Sequence, residues 1–141
     1  MVDNTQPGGV GLFLTAHFPT VYTRGMNSQY ITALPDDWER VAQVFSAMGD
    51  ATRQRILLLF EPGEQISLST LVATVGMSRT AVSHHVNVLV RAGLLLPRRI
   101  GKEVVYRRDL PFAVEMLDRV RDYALAELAA EHGGEREQAS S

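Results

Sequence analysis

Residues 68–93 constrain this chain more than any other stretch. Leu68, Leu71, Val72 and Val75 recur at three- and four-residue spacing, the period of a short helix with one inward face. Gly76 breaks that helix. Ser78 then offers a side-chain acceptor for the orphan amides of a second helix, which runs over 78–91 and closes at Gly93. A short helix, a tight glycine-containing turn and a second helix form a helix-turn-helix pattern.

The second helix divides cleanly when its residues are placed about 100° apart. Val82, His85, Val86 and Leu89 fall on one side as a core stripe, while Thr80, Ser83, His84, Asn87 and Arg91 fall on the other. That second face holds hydrogen-bonding groups and a cation but no acid. Such a face suits base edges and phosphates, which would repel carboxylates, and it is short enough to lie in a major groove. The competing reading is an ordinary exposed face, which usually mixes Glu with Lys. His84 points with the polar residues, whereas His85 points to the core edge and reads as a hydrogen-bonded structural histidine. Adjacent helical residues diverge too far for the two rings to share one metal ion.

After Gly93 the period changes. Leu94–Arg99 and Glu103–Arg108 are strand candidates joined through Ile100-Gly101-Lys102, a hairpin tip. Pro97 belongs where the ladder needs no donor. Alternation puts Val104 and Tyr106 on one face and Val105 and Arg107 on the other.

Charge enters here. The whole chain carries −2, yet residues 79–108 hold seven basic groups (Arg79, Arg91, Arg98, Arg99, Lys102, Arg107 and Arg108) against Glu103 alone, a local +6 that leaves −8 elsewhere. One basic patch on an acidic body suits a localised polyanion contact. On charge alone, a solvated cluster fits equally well. Taken with the helix face, the candidate DNA-contact residues are Ser78, Arg79, Thr80, Ser83, His84, Asn87 and Arg91 on the helix, and Arg98, Arg99, Lys102 and Arg107 on the hairpin.

The flanks complete an organisation of one domain. Residues 1–35 have no periodicity and several Gly and Pro, which predicts an irregular arm. Met26 inside it is an alternative start. A first helix is expected over Asp36–Met48, with Asp36, Asp37 and Glu39 in its first turn and an apolar stripe of Trp38, Val41, Ala42, Phe45 and Met48. Gly49 is placed to close it in the left-handed conformation, and Asp50 to cap a second helix that carries Ile56, Leu57, Leu59 and Phe60 up to Pro62-Gly63. A last helix is expected from Pro111 to about Glu131, ended by Gly133-Gly134, with a flexible tail over 133–141. The domain therefore spans 36–132. It is mainly α with a small β-hairpin, a winged helix-turn-helix of about five helices and a two-stranded wing.

The chain has no cysteine, which removes disulfides, thiolate metal sites and thiol redox sensing. No apolar run approaches the ~20 residues of a membrane helix. The apolar stretch Val10–Phe18 follows Asp3 and no Lys or Arg, the opposite of a signal peptide, so the expectation is a cytoplasmic protein with no membrane contact. No phosphate-binding glycine loop, nucleophile elbow or clustered His-carboxylate pattern points to an enzyme, and no cofactor is implied.

These motifs resemble the ArsR/SmtB family of repressors. Phe45-Ser-Ala-Met-Gly-Asp-Ala-Thr-Arg-Gln-Arg-Ile-Leu-Leu58 looks like that family's opening "ALGDPTRLRIL". Met77-Ser-Arg-Thr-Ala-Val-Ser-His-His-Val-Asn-Val-Leu89 looks like its recognition segment "LSQSTVSHHLKVL". Arg91-Ala-Gly-Leu-Leu95 and Gly101-Lys-Glu-Val-Val-Tyr-Arg107 match the following "REAGLV" and the wing "GRWVYYRL". The similarity runs in order over about 36–131. It implies a homodimer on operator DNA, repressing its own or a neighbouring operon. The dimer would be built on the first and last helices, which places Trp38, Val41 and Phe45 and then Met116, Val120, Tyr123 and Leu128 at the interface. The last helix supports this independently: Ala113, Met116, Leu117, Val120, Tyr123, Ala124 and Leu128 cover an arc wider than one core needs, and Val114 and Leu125 widen it. A deeply packed monomer helix is the other reading.

The departures bear on regulation. Metal-sensing members carry Cys-Val-Cys where this chain has Ser67 and Ser69, and a neutral hydroxyl is a poor substitute for thiolate. Ser67 or Ser69 fits better as a helix cap. Asp118 and Asp122 read as a solvated acidic face, with His132 far along the helix, so no metal site is expected. A metal-responsive repressor using these ligands, and a winged-helix protein-interaction module without DNA, are the rival functions. An unidentified small-molecule effector has room near the first and last helices.

Overall fold

A computed structural model of the protein describes residues 34–139, with side chains to Gly134. Most of the expected irregular arm, residues 1–33, lies outside the described residues, as does the end of the expected tail. Eight elements follow: α1 (Asp36–Met48), α2 (Ala51–Leu58), β1 (Ile66–Ser67), α3 (Leu68–Val75), α4 (Arg79–Arg91), β2 (Leu95–Ile100), β3 (Glu103–Arg108) and α5 (Leu110–Ala139). The architecture is mainly helical with a small antiparallel sheet, a winged helix-turn-helix. Among the described residues, no helix is long and apolar enough to cross a membrane.

The chain forms two compact units. The first, Trp38–Leu117, contains the helix-turn-helix and the sheet. Its core is drawn from every element: Val44 and Ala47 of α1, Ile56 of α2, Leu71 and Val75 of α3, Val82, Val86 and Leu89 of α4, and Leu95 and Tyr106 of the sheet are all buried. The second unit includes Asp118 onward, where α5 continues with Val120 and Tyr123 half-buried and Leu125 and Leu128 exposed.

The corner between α1 and α2 is built by side chains. Asp50 caps α2 by accepting the Arg53 N–H at 2.9 Å. Arg53 and Gln54 then turn back and donate to the carbonyls of Ser46, Ala47 and Met48, the orphan acceptors at the end of α1. Gly49 is therefore not left-handed as expected, because the α1 carbonyls are satisfied by these donors instead of by a glycine cap. The helix α2 also stops at Leu58, before Pro62, and Leu58 points outward, 80 % exposed.

The sheet has three strands, in the order β1-β3-β2. The expected hairpin pairs Leu95 with Arg108 through to Ile100 with Glu103, and the two-residue β1 adds Ile66 opposite Tyr106 and Ser67 opposite Val105. A strand so short leaves no alternation to read in sequence. The end of α5 also differs from expectation. The helix passes through Gly133-Gly134 to Ala139, and neither glycine adopts positive φ. Glycine inside a helix costs about 1 kcal/mol against alanine, which weakens a helix without forbidding it. Two residues expected at a dimer surface are instead core: Val41 and Met116 are 3 % and 1 % exposed within one chain.

Candidate nucleic-acid interface

The helix-turn-helix is fixed by hydrogen bonds at each end of its turn. Gly76 takes φ +74 and closes α3, its N–H donating to the Val72 carbonyl at 3.2 Å. Such a φ favours glycine, which has no Cβ to clash. Ser67 caps α3 through the Thr70 N–H, so this hydroxyl satisfies a backbone donor. Ser78 caps α4 through the Ala81 N–H at 3.2 Å. Arg55 reaches from α2 to the carbonyls of Val75 and Thr74, at 3.2 and 3.3 Å, and places its cation at the negative end of α3.

With α4 held this way, its two faces separate. Val82, Val86 and Leu89 are wholly buried. Arg79, Thr80, His84, Asn87 and Arg91 are exposed, and Ser83 is half-buried. No carboxylate lies on this face. His85 sits at the core edge, its side chain 16 % exposed, with Nδ1 3.8 Å from Asp50 Oδ1. That distance is an ion-pair approach and too long for a hydrogen bond. Asp50 titrates below its ordinary range, chiefly because it accepts the Arg53 N–H. Burial opposes this, and the Arg53 and His85 charges assist it. The His84 and His85 rings stand edge-on, their centres 5.9 Å apart. Among the described residues, no group of three or more His, Asp or Glu is clustered to hold a metal ion.

The wing extends the basic surface. Arg98, Arg99, Lys102 and Arg107 are all exposed. Gly101 turns the tip at φ +60, and Arg99 Nε donates to the Gly101 carbonyl at 3.4 Å. Register puts Arg98 opposite Val105 and Arg99 opposite Val104, so these two arginines leave the hairpin on opposite faces. Arg107 shares the Arg98 side through its pairing with Leu96. Tyr106 on the other face is buried, which pushes its phenol up against a smaller opposing effect of the Arg79 charge. The start of α4 and the wing are thus electrostatic neighbours. Arg108 does not belong to the exposed patch: it is half-buried and donates to the Leu57 carbonyl at 3.3 Å.

Sequence reasoning missed the structural arginines. Arg53 sits in the first turn of α2, where the helix dipole disfavours cations, and that mismatch was the available signal that it serves a neighbouring helix; Arg55 lies in the last turn, where a cation is ordinary, and carried no such signal.

The comparisons agree with this geometry. A family model described as a helix-turn-helix domain matches residues 48–98. A probable mercury resistance operon repressor of Streptomyces lividans is 32% identical over 92 residues, covering 65% of this chain and 73% of the relative. An ArsR-like transcriptional regulator from Rhodococcus sp. RHA1 superposes with TM-score 0.62 at 28% identity, over 73% of this chain and 93% of that one. A homodimeric winged helix-turn-helix DNA-binding domain from Mycobacterium bovis, a possible ArsR-family regulator, gives TM-score 0.50 at 26% identity over 72% and 91%. Taken with the four motifs and the winged helix-turn-helix fold, these relatives place the chain in the ArsR/SmtB family of DNA-binding transcriptional regulators, to which it belongs.

Proposed function

We propose that this regulator binds operator DNA as a homodimer and represses transcription from its own or a neighbouring operon. The observation that carries the reading is the exposed face of α4: Thr80, Ser83, His84, Asn87 and Arg91, with no carboxylate and with the basic wing beside it. In this reading α4 lies in the major groove, where His84 and Asn87 meet base edges. Arg91 and the wing residues Arg98, Arg99, Lys102 and Arg107 neutralise phosphates and supply affinity independent of sequence. Ser78 and Arg79, at the start of the helix, approach the backbone, and the Ser78 hydroxyl also keeps its cap.

The dimer assigns a role to apolar side chains that one chain leaves in water. Phe45 of α1 and Leu117, Leu125 and Leu128 of α5 are each more than two-fifths exposed. Trp38, Val120 and Tyr123 are half-buried at the same helices, whereas Val41 and Met116 are left to the core. The relative from Mycobacterium bovis is homodimeric, which supports a dimer.

The test selects genomic fragments with the purified protein and fuses the promoters they contain to a reporter. Repression predicts enriched fragments whose reporters rise when the gene is deleted. No enrichment over random fragments would remove the operator, and reporters that fall on deletion would replace repression with activation.

A further inference from the structure

A groove of about 430 Å³ lies between α1 and the C-terminal end of α4. Ala42, Val88 and Ala92 give it an apolar wall, and Gln43 and Arg91 its polar edge. A second lobe of about 220 Å³ shares Gln43, Arg91 and Ala92 and adds Arg40, Asp109 and Phe112. All of these residues belong to the first compact unit. The first lobe alone is in the range of small-molecule sites, about 300–1,000 Å³.

The charges around the groove are unequal. The Arg91 guanidinium makes no hydrogen bond or ion pair among the described residues. Arg40 lies over the Phe112 ring, its guanidinium carbon 5.9 Å from the ring centre. Asp109 is the one acid at the groove, and its carboxylate accepts the Phe112 N–H at 3.1 Å. The seat shared by both lobes therefore offers a planar guanidinium and an amide beside small apolar side chains. A carboxylate matches the guanidinium fork, and a flat apolar body matches the alanine and valine wall.

We infer that this groove binds a small organic carboxylate, with Arg91 and Gln43 on the anion and the Ala42–Val88–Ala92 wall on its apolar body. Arg91 ends α4 and shares the polar face of His84 and Asn87. A carboxylate that holds Arg91 takes it from DNA phosphate, so occupancy weakens operator binding. This regulatory consequence rests on the operator reading; the binding site itself does not.

The experiment titrates the ¹⁵N-labelled full chain with benzoate and with its uncharged isostere benzamide, and follows backbone amides by NMR. Benzoate is expected to shift Ala42, Gln43, Val88 and Ala92 saturably, with affinity about tenfold above benzamide, the scale of one charge-assisted contact. Ala42→Leu fills the groove from an exposed helical position and should abolish these shifts; Gln43→Ala should weaken them if the leucine variant misfolds. Benzoate should also lower operator affinity of the wild type and not of Ala42→Leu, which binds operator normally. Equal response to benzamide, shifts elsewhere, or shifts unchanged in both variants would overturn the site. So would groove amides that move with protein concentration alone, which would mean a second copy covers it. Groove binding without any operator binding refutes the operator reading and leaves the site standing; operator binding without groove shifts does the reverse.

Discussion

Gly93 and Phe112 meet so closely that a Cβ on the glycine would stand 2.7 Å from Phe112 Cε1. Gly93 also has φ +84, a conformation L side chains rarely adopt. Two independent penalties therefore attach to Gly93→Ala: about 1–2 kcal/mol for the left-handed backbone and about 1–3 kcal/mol for overpacking. Denaturant unfolding should give a loss of roughly 2–5 kcal/mol from these terms. In a Phe112→Ala background only the backbone share should remain. An equal loss in both backgrounds would mean the ring yields freely and the contact is unimportant.

The Asp50 cap gives a pH dependence with a defined sign. Its carboxyl is held below the ordinary range, first by the Arg53 N–H. A depressed carboxylate contributes stability above its unfolded pKa and loses it as pH falls through the folded one. Thermal stability should therefore drop on the acid side of the usual carboxylate range. Asp50→Asn keeps a capping acceptor but not the charge, so its melting temperature should fall less over that window. Parallel acid limbs for the two proteins would show that Asp50 contributes nothing there.

Basic residues of the wing should differ by what they touch. Arg99→Ala and Lys102→Ala should weaken operator and random DNA alike and reduce the salt slope by roughly 1 each. Arg108→Ala should leave the salt slope in place and lower stability, because its guanidinium donates to the Leu57 carbonyl. Binding titrated across salt, paired with unfolding curves, separates the two classes. A salt slope flattened by Arg108→Ala would move that residue onto the DNA.

Assembly should be sensitive to charge at exposed α5 positions. Leu128 is 48 % exposed within one chain, so Leu128→Glu should give a folded monomer by sedimentation. Met116→Glu should unfold the protein, since Met116 is core and a buried unpaired charge is strongly destabilising. A wild-type monomer at micromolar concentration would contradict the dimer.

What the sequence made legible was whatever repeats locally. The α4 stripe of Val82, Val86 and Leu89, the caps at Asp50, Ser67 and Ser78, and the hairpin from Leu95 to Arg108 follow from spacing and capping chemistry over a few residues. Non-local features were hidden. The pairing of Ile66 with Tyr106 spans 40 positions and leaves no periodic trace. Arg108 looked like one more wing cation until its Leu57 partner fixed it inward. Val41 and Met116 fit an interface stripe and a core stripe equally on a wheel, and only three-dimensional packing separates the two.

The central claim is that the α4 face reads bases. The direct measurement is the affinity ratio between a selected operator and a scrambled duplex, at fixed salt, for the wild type and for His84→Ala and Asn87→Ala. Each substitution should lower operator affinity by about 1–3 kcal/mol, the scale of one base contact, while scrambled-DNA affinity stays within a few-fold. Operator and scrambled affinities that fall together would make these residues backbone contacts. An unchanged ratio with unchanged affinity in both variants would contradict α4 as the recognition helix.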